Sequence, residues 1–146
     1  MMQPKKQVSI HLKTVIEDTG ETEMNEVKAT GVFYQRNNLD VLTYKEEIEG
    51  HGGANTLITI QPERVTIKRT GVVSMHQQFQ IGKRTENVYQ HPHGNIHMET
   101  LTGKINYKVP NEREHGCLEL AYIVKLNGQD ERKHTLELLF IEEDSQ

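Results

Sequence analysis

Hydrophobic and polar positions alternate along most of this chain with a period of two. The pattern is clearest from Leu118 to Leu126, where every second residue is Leu, Tyr or Val. Because successive side chains of a strand point to opposite faces, this pattern is typical of half-buried β-strands. Similar runs occupy residues 8–16, 24–36, 39–49, 57–60, 63–69, 72–80, 85–91, 95–109 and 136–140. No segment keeps apolar residues at helical spacing, so the pattern predicts an all-β protein of about eight to ten strands.

Short turn signals separate these runs. Asparagine and glycine, which tolerate positive φ, stand at 37–38, 70–71, 82–83 and 127–128. The turns at 70–71 and 82–83 predict three consecutive strands in a meander. The glycine-rich residues 49–55 predict a flexible hairpin loop, because no lysine-serine pair and no helix follow as a phosphate-binding loop requires.

The short connections favour an antiparallel meander closed into a barrel. A long sheet has exposed edges, and closure removes them. A two-sheet sandwich fits less well, because few connections are long enough to cross between sheets. The 146 residues suit one domain, so we expect a single β-barrel over residues 1–146.

Alternation also assigns Arg69 to the same strand face as Val65 and Ile67. An arginine on an apolar face lies at a strand end near solvent, pairs with a carboxylate, or binds an anion. Its guanidinium offers a bidentate fork to a carboxylate or phosphate, so Arg69 is the candidate anchor for an amphipathic anion.

Alternation assigns faces to two further strands in the same way. In residues 72–80 and just beyond, one shared face carries Val73, Met75, Phe79 and Ile81. In residues 95–109 one face carries Leu101, Ile105, Tyr107 and Val109, and the other carries Ile96 and Met98. Gly103 interrupts the second strand and indicates a bulge or a bend.

Charge and composition exclude several classes of function. The net charge is −4, and the 17 basic residues are scattered among 21 acidic ones, so no basic stripe is available for nucleic acid. No apolar run approaches the ~20 residues that span a bilayer. We expect no membrane partner and a cytoplasmic location. The lone Cys117 excludes an intrachain disulfide and suggests an inert small core residue rather than a reactive thiol.

His91, His93 and His97 would lie on one face if residues 91–97 formed a regular strand, and neutral imidazoles are good zinc ligands. Pro92 and Gly94 break that regularity. We therefore expect solvated or locally hydrogen-bonded histidines, with no metal and no cofactor. A histidine-based enzyme would need these three residues and Glu99 to converge.

Several short motifs occur together in a characteristic order. They are R-T-G at 69–71, S-M at 74–75, Phe79, Gly82, Tyr89, P-x-G at 92–94, Thr100 and G-C-L-E-L-A-Y at 116–122. In this respect the chain resembles the YwiB-like family of uncharacterised bacterial proteins, from about Val8 to Ile141. The resemblance implies a calycin-like, lipocalin-like β-barrel, and it implies no activity.

The favoured functional hypothesis is a non-enzymatic barrel that binds a small apolar or amphipathic ligand, since small barrels often enclose one ligand. The candidate ligand-binding residues are Arg69, Met75, Phe79, Tyr89 and Tyr122. In the alternative, Phe79 and Tyr122 pack together inside a filled barrel that binds a protein partner on its outer surface. An enzyme is the third possibility.

Overall fold

The computed structural model describes residues 5–48, 50–111 and 115–143, and their regular structure consists of ten β-strands. The strands are β1 (Lys6–Asp18), β2 (Glu21–Arg36), β3 (Leu39–Ile48), β4 (Gly52–Ile60), β5 (Arg64–Gly71), β6 (Met75–Gln80), β7 (Arg84–His91), β8 (Gly94–Lys108), β9 (Gly116–Leu126) and β10 (Arg132–Glu142). Within these ranges the structure contains no helix that is long and apolar enough to cross a membrane. The all-β prediction is confirmed.

The ten strands form one antiparallel sheet that rolls into a nearly closed barrel. Strands that are consecutive in the chain pair with each other throughout β1 to β6 and β7 to β10. The first and last strands also pair, with Ile10 opposite Phe140. This pairing of the chain ends removes two sheet edges. The two remaining edges belong to β6 and β7, and we call the line between them the seam.

The meander of three paired strands predicted for residues 63–91 is wrong in one respect, because the seam lies between its second and third strands. The turn at 82–83 is present. Across β6 and β7, all of whose residues the structure describes, no continuous ladder of backbone hydrogen bonds joins the two strands. The amide of Gly82 instead donates to the carbonyl oxygen of Thr102 at 2.9 Å. This bond ties the connection to β8, and β7 returns beside β6 without pairing with it along its length. At the other end, Ser74 and Gln90 exchange backbone hydrogen bonds of 2.9 and 2.8 Å.

The predicted turns at 37–38 and 127–128 are confirmed, and the one at 70–71 is shifted. β5 continues to Gly71, and the chain reverses after it, so that Arg69 pairs with Met75. Gly71 has φ 116°, and a Cβ there would lie 2.6 Å from the carbonyl oxygen of Gly53. Its role is therefore to allow a close approach to β4. The glycine-rich loop is tighter than expected, since β4 begins at Gly52; residue 49 lies outside the described residues.

The alternating side chains of the strands meet in one core. It includes Val8, Ile10, Phe33, Leu42, Ile58, Val65, Phe79, Leu118, Leu120, Leu136, Leu138 and Phe140. For β9 these are the alternating residues predicted between Leu118 and Leu126. Burying the core residues supplies the main free energy of folding.

Three face assignments are wrong. Ile81 is 53% exposed, because the chain has already left β6 there. A bulge between Thr102 and Lys104 shifts the phase of β8, so Leu101 does not share the inward face of Ile105. Cys117 is half-buried on the outer face of β9, opposite Leu139, and is not a core residue. Burial, followed by the charge of Glu119, raises the pKa of its thiol.

The two ends of the barrel differ. We call the end with the turns at 19–20, 50–51, 72–74, 92–93 and 127–131 the upper end, and the other the lower end. At the lower end the hydroxyl of Tyr107 donates to the Asp40 carboxylate at 2.6 Å, and the Gln35 amide donates to it at 3.0 Å. Burial, then the bond to Asp40, raises the pKa of Tyr107. This cluster spans the lower opening.

Candidate functional site in the upper half of the barrel

Arg69 forms an ion pair with Glu46 inside the upper end of the barrel. One Nη of Arg69 donates to Oε1 of Glu46, and the other donates to the hydroxyl of Tyr89 at 3.2 Å. Only 19% of the Arg69 side chain and 17% of the Glu46 side chain are exposed. Ala54 pairs with Glu46 on the intervening strand β4, and its small side chain lets the two long ones meet above it. Of the alternatives for Arg69, the carboxylate pair is the one present.

The surroundings of this ion pair are mixed in polarity. Arg69 lies between Thr56 on β4 and Met75 on β6. Tyr44 is next to Thr56 on β3, and burial, followed by the charge of Glu46, raises the pKa of its hydroxyl. Since a buried ion pair is stable only when both partners stay in place, this cluster fixes the geometry of the upper interior.

A second polar group crosses the opposite wall. Thr102, Tyr122 and His134 are direct neighbours on β8, β9 and β10, and we call them the polar row. The rings of Tyr122 and His134 are 5.2 Å apart. Burial, then the charge of Arg132, lowers the pKa of His134 to about 4, so the imidazole is neutral at pH 7. Burial also raises the pKa of Tyr122.

Several buried atoms of this wall have no hydrogen-bond partner in the described part of the chain. They are Oγ1 of Thr102, Nε2 of His134 and, on β7, Oδ1 of Asn87. Thr102 is only 1% exposed. Next to it, the buried Gln77 amide does find a partner, donating to the Thr100 hydroxyl at 2.9 Å across the seam. Buried polar atoms are nearly always satisfied in proteins, so the unpartnered ones need a ligand or water.

An aromatic contact separates this polar region from the core below. The rings of Phe79 and Tyr122 meet edge to face, with centroids 4.7 Å apart. This is the contact expected for a filled barrel, and it packs the lower half. Above it, Met75 and Met98 add adaptable apolar surface beside the polar groups. The five candidate ligand-binding residues thus surround one region, with Arg69 and Tyr89 near the rim and Phe79 at the base.

The histidines gather differently from the sequence hypothesis. His51, from the turn after β3, joins His91 and His93 at the upper rim, with ring centroids 5.0 to 5.8 Å apart. His91 stacks on Tyr89, and its Nδ1 accepts a hydrogen bond from the His93 amide at 3.1 Å. Among the described residues, no group of three His, Cys, Asp or Glu side chains is arranged to hold a metal ion.

The other residues of the enzyme hypothesis lie on the outer surface. His97 lies 3.6 Å from the carboxylate of Glu86, and Glu99 lies 3.3 Å from the guanidinium of Arg84. These are cross-strand ion pairs between β7 and β8, exposed to solvent and worth little to stability. His97 and Glu99 therefore do not converge with His91 and His93.

The outer surface also carries a concave region. A groove of about 540 Å³ crosses β2 to β5 and is lined in part by Thr43, Leu57, Lys45 and Lys68. Its lining includes none of the polar row, but it also includes Tyr44 and Thr56, which surround the ion pair on the inner side of the same strands.

Four residues of this interior were not predicted from the sequence. Glu46 and His134 are in phase with the core positions of their strands, so the signal was present as a polar side chain on an apolar face. Thr102 was hidden because the bulge after it shifts the phase of β8. Asn87 lies beside Met98 on β7, in a strand whose period-two pattern contains few apolar residues.

Comparisons with known proteins agree with this architecture. Residues 10–138 match the family described as a domain of unknown function, DUF1934. The chain is 29% identical over 139 residues to the uncharacterised β-barrel protein YwiB of Bacillus subtilis strain 168, covering 95% of this chain and 96% of that protein. The crystal structure of that B. subtilis ywiB protein superposes with a TM-score of 0.85 at 27% identity, covering 98% of this chain and 96% of the other.

Proposed function

The chain belongs to the DUF1934 family, and we propose that it is a non-enzymatic barrel that binds one small amphipathic molecule in the upper half of its interior. The supporting observation is the set of unpartnered buried atoms on Thr102, His134 and Asn87. Leaving such an atom without a hydrogen bond costs about 1–3 kcal/mol. A ligand that bonds to them recovers this free energy.

The size of the barrel supports the same proposal. Eight strands give an interior that side chains just fill or that holds one small ligand, and the diameter grows with strand number. This sheet has ten strands. Phe79 and Tyr122 pack the lower part, so we assign the ligand to the upper half, beside Met75 and the ion pair of Arg69. The calycin-like character implied by the resemblance belongs to this proposal, because calycins commonly bind ligands inside the barrel.

In the proposed complex the ligand has two contact zones. Its apolar part lies against Met75, Met98 and the Phe79–Tyr122 contact. Its polar part faces the polar row and Asn87. Arg69 acts through Glu46 and Tyr89 as a rigid part of the rim.

The lone, partly buried Cys117 and the absence of disulfide chemistry are consistent with a reducing compartment, and we place the protein in the cytoplasm as part of the same proposal.

The test uses N-phenyl-1-naphthylamine, a neutral apolar probe that becomes fluorescent in dry sites. We expect saturable binding to one site in the wild-type protein. Thr102→Phe fills the proposed site and should weaken binding at least tenfold. The matched control is Lys104→Phe on the exposed side of the same strand, which should leave the affinity unchanged.

Circular dichroism establishes that both variants fold. Should Thr102→Phe not fold, Asn87→Phe occludes the same region from the half-buried strand β7. Equal probe affinity in the folded occluded variant and in Lys104→Phe would place the probe elsewhere. Failure of the wild type to bind the probe at all would contradict interior binding and favour the filled barrel.

A further inference from the structure

The charges in the upper interior cancel. Two cationic groups lie on the inward strand faces of the upper half, and each is paired with a carboxylate: Arg69 with Glu46, and Arg132 with Asp18 at 3.4 Å. The inward groups of the opposite wall are a hydroxyl on Thr102, a phenol on Tyr122 and an amide on Asn87. His134, on the same wall, is neutral at pH 7, because burial lowers its pKa to about 4. The region presents hydrogen-bonding atoms without a net charge.

We propose that this interior site selects uncharged ligands and that Glu46 determines the selection by neutralising Arg69. The inference rests on the proposed function and narrows its ligand class to neutral molecules that carry hydrogen-bond donors, such as hydroxyl or amide groups. It replaces the amphipathic anion that the sequence suggested for Arg69.

The preference against anions follows from charge repulsion. An anionic ligand that binds Arg69 places a second negative charge beside Glu46, whose carboxylate is already bonded to the guanidinium and has only 17% of its side chain exposed. Elsewhere in the site an anion would be desolvated without a partner, and burying a charge without a partner is strongly unfavourable. A cation meets the same obstacle, since the carboxylate of Glu46 is already bonded to Arg69.

The preference for donors follows from the unpartnered atoms. Oδ1 of Asn87 is a carbonyl oxygen and only accepts, and the amide nitrogen of the same side chain is directed to the sulfur of Met98 at 3.9 Å. Nε2 of the neutral His134 accepts when its proton is on Nδ1. The hydroxyl of Thr102 either donates or accepts. Each of these three atoms can therefore accept a hydrogen bond from a ligand hydroxyl or N–H group, and one such group satisfies one of the atoms.

Two probes that differ in one group provide the experiment. N-phenyl-1-naphthylamine is neutral and carries one N–H, and 8-anilino-1-naphthalenesulfonate is the same aromatic amine with a sulfonate added. We expect the wild-type protein at pH 7.5 to bind the neutral probe at least tenfold more tightly. Equal affinity for both probes would overturn the charge selection and leave interior binding intact, whereas binding of neither probe would contradict the proposed function itself.

Variants test the role of Glu46. Glu46→Gln leaves Arg69 without its counter-charge and should raise the affinity for the sulfonate about tenfold. Its matched control is Glu47→Gln, the next residue of the same strand, which is exposed on the outer face and should change neither affinity. The double variant Glu46→Gln/Arg69→Gln is again neutral and should regain the wild-type preference.

The double variant also keeps the test available if Glu46→Gln does not fold, because it leaves no unpaired charge in the interior. If Glu46→Gln does not fold, the double variant must still prefer the neutral probe. A preference for the sulfonate in the double variant, or no gain for the sulfonate in a folded Glu46→Gln protein, would show that Glu46 does not set the selectivity.

Discussion

At the scale of single residues, the interior is defined by polar side chains in phase with the core. Glu46 continues the face of Leu42 and Tyr44, and His134 continues the face of Leu136. Each is a polar residue where the strand pattern favours an apolar one. Such exceptions are expected at functional or strained sites, because an unsatisfied buried group is costly.

His134 should make the stability of the fold depend on pH. Its pKa is about 4 in the folded protein against an ordinary value of 6.5, so between these values the unfolded chain binds more protons. Stability is therefore fully present above pH 6.5 and is lost as the pH falls towards 4. After discounting for partial exposure, we expect a loss of about 1–2 kcal/mol from this group.

The measurement is urea unfolding at pH 7 and pH 4.5 for the wild type and for His134→Phe. The variant keeps a ring against Tyr122 and cannot titrate, so its stability should fall less with acid. His76→Gln, at an exposed outer position, is the control and should behave as the wild type does. An identical pH dependence in His134→Phe would show that this imidazole is not held neutral.

At the scale of elements, the seam is the feature that distinguishes this barrel from a fully closed one. β6 and β7 are held together by the backbone bonds between Ser74 and Gln90 at the upper end and by the Thr85 hydroxyl, which donates to the Gln78 carbonyl at 2.8 Å. Gln77 of β6 also donates to Thr100 of β8 inside the barrel. Side-chain hydrogen bonds thus replace part of the backbone ladder. Strand edges with fewer backbone bonds open more readily.

Hydrogen exchange should detect this difference. We expect the seam-facing amides between the two ends of β6 and β7 to exchange at least tenfold faster than those in the centre of β9, which is paired on both sides. The amides of Ser74 and Gln90 should stay protected, because each donates to the other residue. NMR exchange rates measured residue by residue provide the test. Protection along the seam equal to that of β9 would indicate a continuous ladder there.

At the scale of the whole molecule, all ten strands share one sheet and one core. Pairing of β1 with β10 makes the barrel depend on both ends of the chain. No part of the described sheet has a core of its own, so the strands should unfold together. Small domains of this kind usually show a single cooperative transition.

Leu120→Ala should lower the free energy of unfolding by roughly 2–5 kcal/mol, the usual cost of emptying a buried site. Leu120 is fully buried, whereas Ile141 is 44% exposed, so Ile141→Ala is the matched control with a much smaller expected effect. Urea unfolding followed by circular dichroism and by tyrosine fluorescence should give coincident curves. Curves that separate would mean that the two halves of the sheet unfold independently.

The sequence alone determined the class of fold and most of the strand faces. Period-two alternation in β9 and β10 and the asparagine turns at 37–38 and 127–128 are local features, since they depend on side-chain direction and on φ at single residues. Alternation also placed Arg69, Met75, Phe79 and Tyr122 on apolar strand faces, and ligand binding by these residues and Tyr89 stays a prediction.

Only the tertiary structure decided how these parts combine. Glu46 and Arg69 are separated by 23 residues and by an intervening strand, so no local pattern identifies one as the partner of the other. The bulge after Thr102 reverses the phase of β8, and the amide of Gly82 bonds to Thr102 of β8 beside the seam. These outcomes depend on register and on contacts between strands that are distant in the chain. Register is set by the burial of one whole face of the sheet, so no single strand determines it.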